Sequence, residues 1–335
     1  MINWLTRWFK GAQAEPGAAA AASSSTAVAE PVTTATPAAS PEPDTLIPID
    51  LPLLFFRTLA GASVTEVPAA TAQLILDELA RLVAAPQAGA DLVPRVPAVI
   101  PQLLRSLRDD AVTGADLSRQ LAQDVVLVAE VIREANSSYY SPPAPVRTIE
   151  GAVMLLGQNG MRMLLARVAF RPIISLQTGR FAHHGAPLVW RESEACALAA
   201  SLLAPGVGAN VFEAYLAGLL HHVGLIVALR LIDRVYSGAA LPATPEFAAT
   251  LLREARTLSA RIAALWEFPP AVCQAIEEAG TAAPASPLAQ VLAGAERLAL
   301  LRLLVDGGQF EAAATALAPD ETRVFEQLRV TEAVS

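Results

Sequence analysis

Residues 217–229 read AGLLHHVGLIVAL, and the fold class turns on how that stretch is understood. From Leu216 to Leu229 the side chains are apolar or glycine except for His221 and His222. A bilayer-spanning helix needs about 20 such residues, so the stretch predicts a buried core helix instead of a membrane span. The residues before it agree: Phe212, Tyr215, Leu216, Leu219 and Leu220 recur at helical spacing. Further out, Leu74, Ile75, Leu79 and Leu82 make a second stripe, and Leu117, Leu121, Val125 and Val128 a third. Proline and glycine punctuate between these segments, at Pro86, Pro94, Pro97, Pro142–Pro143, Gly157, Pro205–Gly206, Pro242 and Pro269–Pro270. Alternation with a period of two is hardly visible. The expected fold is all-α.

Composition narrows the function. The chain has 335 residues, 53% hydrophobic and 17% charged, enough to bury a substantial core. Its mean hydropathy of +0.43 comes mostly from alanine, which favours helix. A net charge of −8 argues against non-specific nucleic-acid binding, which needs Lys and Arg to displace phosphate counterions. Cys196 and Cys273 lie far apart, with no CxxC and no Cys/His pair, so a disulfide scaffold or structural zinc cluster on them is not expected. Two reduced, buried thiols in a cytoplasmic protein fit that usage.

Residues 1–10, MINWLTRWFK, put Trp4, Leu5, Trp8 and Phe9 on one helical face beside Arg7 and Lys10. Neither a secretory apolar region nor a cleavage site follows. Trp4, Trp8 and Phe9 are therefore candidates for weak peripheral membrane contact or partner docking, against an ordinary chain start. Residues 11–45 are Ala, Pro, Ser and Thr with scattered acids, which predicts a disordered tether spanning about 30–35 Å. Residues 46–90 read as a helical extension, whose apolar run Leu53-Leu54-Phe55-Phe56 is expected to pack on the helices that follow. Residues 91–300 form the main helical domain, and 301–335 a C-terminal helical extension and tail.

Six short motifs, in order, carry a family resemblance. They are LVPRVPAV (Leu92–Val99), QDVVLVAEVIREANSSYY (Gln123–Tyr140), VRTIEGAVMLLGQNGMRMLL (Val146–Leu165), LVWRESEACALAA (Leu188–Ala200), AGLLHHVGLIVAL (Ala217–Leu229) and LWEFPPAVCQAI (Leu265–Ile276). Each alone is weak; the ordered set resembles the HDOD family, the output domain related to HD-type metal phosphohydrolases. That resemblance implies a multi-helix HD-like bundle and a bacterial cytoplasmic regulator in two-component, cyclic-dinucleotide or motility pathways. HD-type hydrolases hold one or two divalent metals with His and Asp from several helices, and so activate a water. Aligned by motif, their first His position is here Glu192, their His-Asp pair is His221–His222, a later His is Ala255, and a His-His pair is Ala279–Gly280. The last acidic position is Glu296, in GAERLA. Alanine and glycine supply no ligand atoms, so a catalytic binuclear centre is not expected, nor any metal or other cofactor.

Glu192, His221, His222 and Glu296 remain as a vestigial-site group that could hold a single ion. Neighbouring side chains on a regular helix point about 100° apart, which predicts that the two histidines do not face one point. One is expected in the core, bonded to a backbone carbonyl or to Glu192, and the other in solvent. Arg162, Arg167 and Arg171 follow the Gly157–Gly160 corner at spacings of five and four. Arg162 and Arg167 are candidates for anion binding, against a solvated helix face. Asn136 is expected to cap a helix C-terminus in left-handed geometry, and His183–His184 to sit exposed in a loop. Trp190 and Trp266 are expected in the core. The leading function is a non-catalytic signalling module acting on partner proteins. A cyclic-dinucleotide receptor reusing the cavity is the alternative, and a residual phosphohydrolase the third reading.

Overall fold

In the computed structural model the described residues are 50–61, 67–89, 91–93, 116, 119, 125–137, 142–175, 177–309 and 317–328. The tether and Trp4, Trp8 and Phe9 lie outside them. In chain order the helices are α1 (Leu51–Ala60), α2 (Ala69–Ala84), α3 (Val125–Ala135), α4 (Ile149–Ser175), α5 (Arg180–Leu203), α6 (Val211–Leu220), α7 (Val223–Val235), α8 (Pro245–Leu265), α9 (Pro270–Glu278), α10 (Pro287–Asp306) and α11 (Pro319–Gln327). Short 3-10 turns occur at Pro86–Gly89 and Ala204–Val207. No strand occurs among the described residues. The fold is all-α.

Local chemistry fixes where the helices start. Thr244 and Ser286 each precede a proline, and their hydroxyls accept from the amides of Phe247 at 3.3 Å and Ala289 at 3.2 Å. Proline at the first helical position gives up an amide that has no partner there anyway. Asn210 accepts from the amides of Phe212 and Glu213, both at 3.0 Å, and so starts α6. The start of α5 is capped from elsewhere in the fold. The Asp233 carboxylate, on α7, accepts from the amides of Arg180, Phe181 and Ala182 at 2.9, 2.8 and 2.9 Å. Gly179 leaves room for it, since a Cβ there would stand 2.4 Å from Asp233 Oδ2. Asp233→Ala leaves these three amides without their acceptor and is expected to cost about 2 kcal/mol. The urea midpoint measures this, and an unchanged midpoint would remove the cap from the account.

The apolar pair α6–α7 sits at the centre. α6 packs on α5, α7 packs on α8 and α5, and α9 and α10 close the remaining sides. Val211–Val235 is apolar enough over 25 residues to cross a membrane, but 94% of its apolar window is buried inside the fold. Phe55 and Phe56 of α1 are buried against α5, α8 and α10, as expected of the apolar run. Ile75, Leu79 and Leu82 of α2 are likewise buried, whereas Leu74 is 46% exposed and falls outside the stripe. The predicted corner is real: α4 bends at Gly157, which has φ 68°.

Other expectations are corrected. Asn136 does cap the C-terminus of α3, as expected, but without the left-handed backbone. Its amide group clasps Val146, donating to the carbonyl and accepting from the amide, both at 2.7 Å, and also donates to the Ile132 carbonyl. His183 and His184 are exposed as expected, but on the first turns of α5 and not in a loop. Trp190 is buried, while Trp266 is only partly so and stacks on Phe170 at 5.9 Å. The division at 300/301 falls within a helix, because α10 runs on to Asp306.

Candidate functional site

The stretch that decided the fold class also builds the site. α6 ends at Leu220 and α7 begins at Val223, with His221 at φ −60°, ψ −22° and His222 at φ −105°, ψ 8°. The helix therefore breaks at the histidine pair, and the 100° rotation of a regular helix does not separate the two rings. This corrects the expectation that they diverge. Their centroids lie 4.0 Å apart. His222 Nδ1 stands 2.7 Å and His221 Nε2 3.2 Å from the same oxygen, Oε2 of Glu192 on α5. All three residues are buried. His221 Nδ1 donates to the Gly218 carbonyl at 2.6 Å, which fixes the ring and turns Nε2 inward.

Two glycines clamp the break. A Cβ on Gly218 would stand 2.6 Å from the Ala197 Cα of α5, and one on Gly224 would stand 2.1 Å from the Ala255 carbonyl oxygen of α8. Backbone-to-backbone packing on both sides thus sets the position of the imidazoles.

Electrostatics follow from burial and proximity. Burial alone would raise the Glu192 carboxyl, but the two imidazoles outweigh it and bring it down to about 2. Burial opposes charge on His221, yet Glu192 holds its pKa well above the ordinary value. His222 is lowered, by burial and then by His221. The Cys196 thiol beside them is pushed up to about 11 by burial, which leaves it a poor nucleophile.

Glu296, on α10, approaches the group without joining it. Its Oε1 is 3.9 Å from His222 Nε2 and accepts from Arg256 Nη2 at 2.5 Å. Burial would raise this carboxyl, but Arg256 holds it below the usual range. Sequence reasoning missed Arg256. Its stem runs past Gly280, where a Cβ would meet it at 2.6 Å, and nothing in the sequence signals that contact. Sequence reasoning also missed that Phe55 stacks on His222, with centroids 5.4 Å apart and planes within 13°. Ala255 and Ala279 are buried and offer no ligand atom. A cleft of about 510 Å³ opens beside the group, lined among others by Leu53, Phe55, His222, Arg253, Arg256 and Glu296.

Arg162 and Arg167 do not form a solvated basic face. Both are buried, and Arg167 is held between the carboxylates of Glu134 on α3 and Glu194 on α5. Arg171 bonds Glu134 at 3.3 Å from the exposed side. This network ties α3 to α4 and α5. Arg162 lines a separate cleft of about 360 Å³ with Asn159, Asn210 and Glu213.

Comparison with known proteins agrees with the fold. The family model of the HDOD domain matches residues 93–281. An uncharacterized protein of Treponema pallidum (strain Nichols) is 27% identical over 140 residues, 41% of this chain and only 26% of that protein, so the shared region is about a quarter of the relative's length. Among solved structures, a Shewanella amazonensis SB2B protein provisionally named a metal-dependent phosphohydrolase superposes with TM-score 0.55 at 20% identity, over 77% of this chain and 98% of that one. An HDOD domain protein of unknown function from Geobacter sulfurreducens gives TM-score 0.53 at 22% identity, over 77% and 91%.

Proposed function

The chain belongs to the HDOD domain family, and from that premise we propose that it is a non-catalytic regulatory module that acts by contact with signalling proteins. The observation that carries this reading is the fate of the Glu296 side of the site. A metal-dependent hydrolase needs open coordination positions and a water there. Here a guanidinium occupies Glu296, Ala255 and Ala279 provide no ligands, and Phe55 covers His222. What the fold retains is packing, through Gly218, Gly224 and Trp190. The test is turnover of bis-p-nitrophenyl phosphate by the full chain with added Mn²⁺. The expected rate equals that of the His221→Ala, His222→Ala double variant. A rate that this double variant abolishes would make the protein an enzyme.

The 510 Å³ cleft favours one second reading, a receptor for an anionic nucleotide of the cyclic-dinucleotide class, with Arg253 in place of the buried Arg162 and Arg167. Calorimetry with cyclic di-GMP tests it. Saturable heat that is lost in Arg253→Gln supports a receptor, and no heat removes it.

A further inference from the structure

We propose that Glu192, His221 and His222 hold one divalent ion of the zinc class in a structural site, with Glu296 orienting His222 and not serving as a ligand. Three observations support this. The candidate ligand atoms of the three residues lie within 4.8 Å of one another, and all three residues are buried. Bonds of about 2.1 Å to a common centre require only a small closing rotation from that spacing. Next, Glu192 Oε1 is buried without a hydrogen-bond partner. Buried polar atoms nearly always have one, and this orphan carboxylate oxygen belongs to the cluster.

The surroundings complete the argument. Metal-bound histidines usually donate their second N–H to a carbonyl or carboxylate, which fixes the tautomer. His221 Nδ1 donates to Gly218 O at 2.6 Å. If His222 Nδ1 meets the ion, its Nε2–H faces Glu296, 3.9 Å away and held in place by Arg256. The guanidinium is thus the second cation of the site, and it limits the site to one metal. Two imidazoles and one carboxylate suit zinc or manganese. The ion would tie α5 to the α6–α7 break. Binding displaces the proton that His222 Nδ1 donates to Glu192 at 2.7 Å, along with any proton on His221 Nε2, leaves the remaining N–H of His222 on Nε2, and involves no redox step.

The test is Co²⁺ titration of the chelator-stripped full chain, read by visible absorption. Expected are one equivalent, the bands of low-coordinate cobalt with nitrogen ligands, and displacement by Zn²⁺. Glu192→Gln and His221→Ala should weaken uptake at least about 100-fold, and Glu296→Gln about 10-fold with one equivalent retained. No saturable uptake, two equivalents, or uptake unchanged in Glu192→Gln would each overturn the proposal. Should the variants unfold, X-ray absorption of the zinc-loaded wild type decides: two imidazoles support the site, and none rejects it. Uptake and turnover are separate readouts, so failure here leaves the non-catalytic reading standing, and the reverse holds too.

Discussion

Gly224→Ala is expected to destabilise the fold by at least about 3 kcal/mol, at the upper end of overpacking costs. The added methyl would stand 2.1 Å from Ala255 O, 2.6 Å from Ser259 N and 2.8 Å from Ser259 Oγ. Two of these atoms are backbone, so no rotamer change relieves the contact. The methyl would also pry apart a bonded junction: the Gly224 amide donates to Ser259 Oγ at 2.8 Å, and that hydroxyl donates to Ala255 O at 3.0 Å. Gly294 is the control. A Cβ there meets only Leu203 Cδ1, at 3.7 Å, an ordinary contact. Gly294→Ala, inside α10, should be neutral or stabilise by about 0.5–1 kcal/mol through helix propensity. Urea unfolding of the two variants side by side checks this. Equal midpoints would mean that α7 and α8 can separate at no cost and that the close approach is not what positions the histidine pair.

The second large effect is expected at Glu192. Among the described residues, Glu192→Ala removes the only carboxylate in hydrogen-bond reach of two buried imidazoles, and breaking a buried charge pair by deleting one partner costs about 3–5 kcal/mol. Acid dependence supplies a signature that simple cavity formation lacks. The folded-state pKa of Glu192 is about 2 against an ordinary 4.5, so it is depressed on folding. A depressed carboxyl stabilises fully above the unfolded value and loses that contribution as pH falls through the folded one. Wild-type stability should thus decline between these two values by more than that of Glu192→Ala. Urea midpoints across that range measure it, and parallel profiles would show that Glu192 carries no such linkage. Glu192→Gln keeps the volume and separates charge from packing.

Much of the architecture was legible because it rests on local rules. Helical stripes are readable from neighbours in the chain, and so is the Gly157 corner. The site was legible in membership but not in geometry. Glu192, His221, His222 and Glu296 could be picked out, yet the divergence expected of the histidines assumed an unbroken helix, and the break is set by backbone contacts of Gly218 and Gly224 with α5 and α8. The arginines show the same limit. Arg167 sits in a pattern that also describes a wet helix face, and only the convergence of Glu134 and Glu194, 33 and 27 residues away, buries it. Arg256 was invisible for the same reason: its partner lies 40 residues on, with no motif linking the two.

The Arg256–Glu296 pair has a physiological consequence. A metal counter-ion must be acquired from a pool that fluctuates with nutrition and can be stripped by chelation or exchanged for a competitor. A guanidinium on the polypeptide cannot be lost or mis-metallated. The half of the cavity built around Glu296 is therefore complete as soon as the chain is made, whatever the supply of metal.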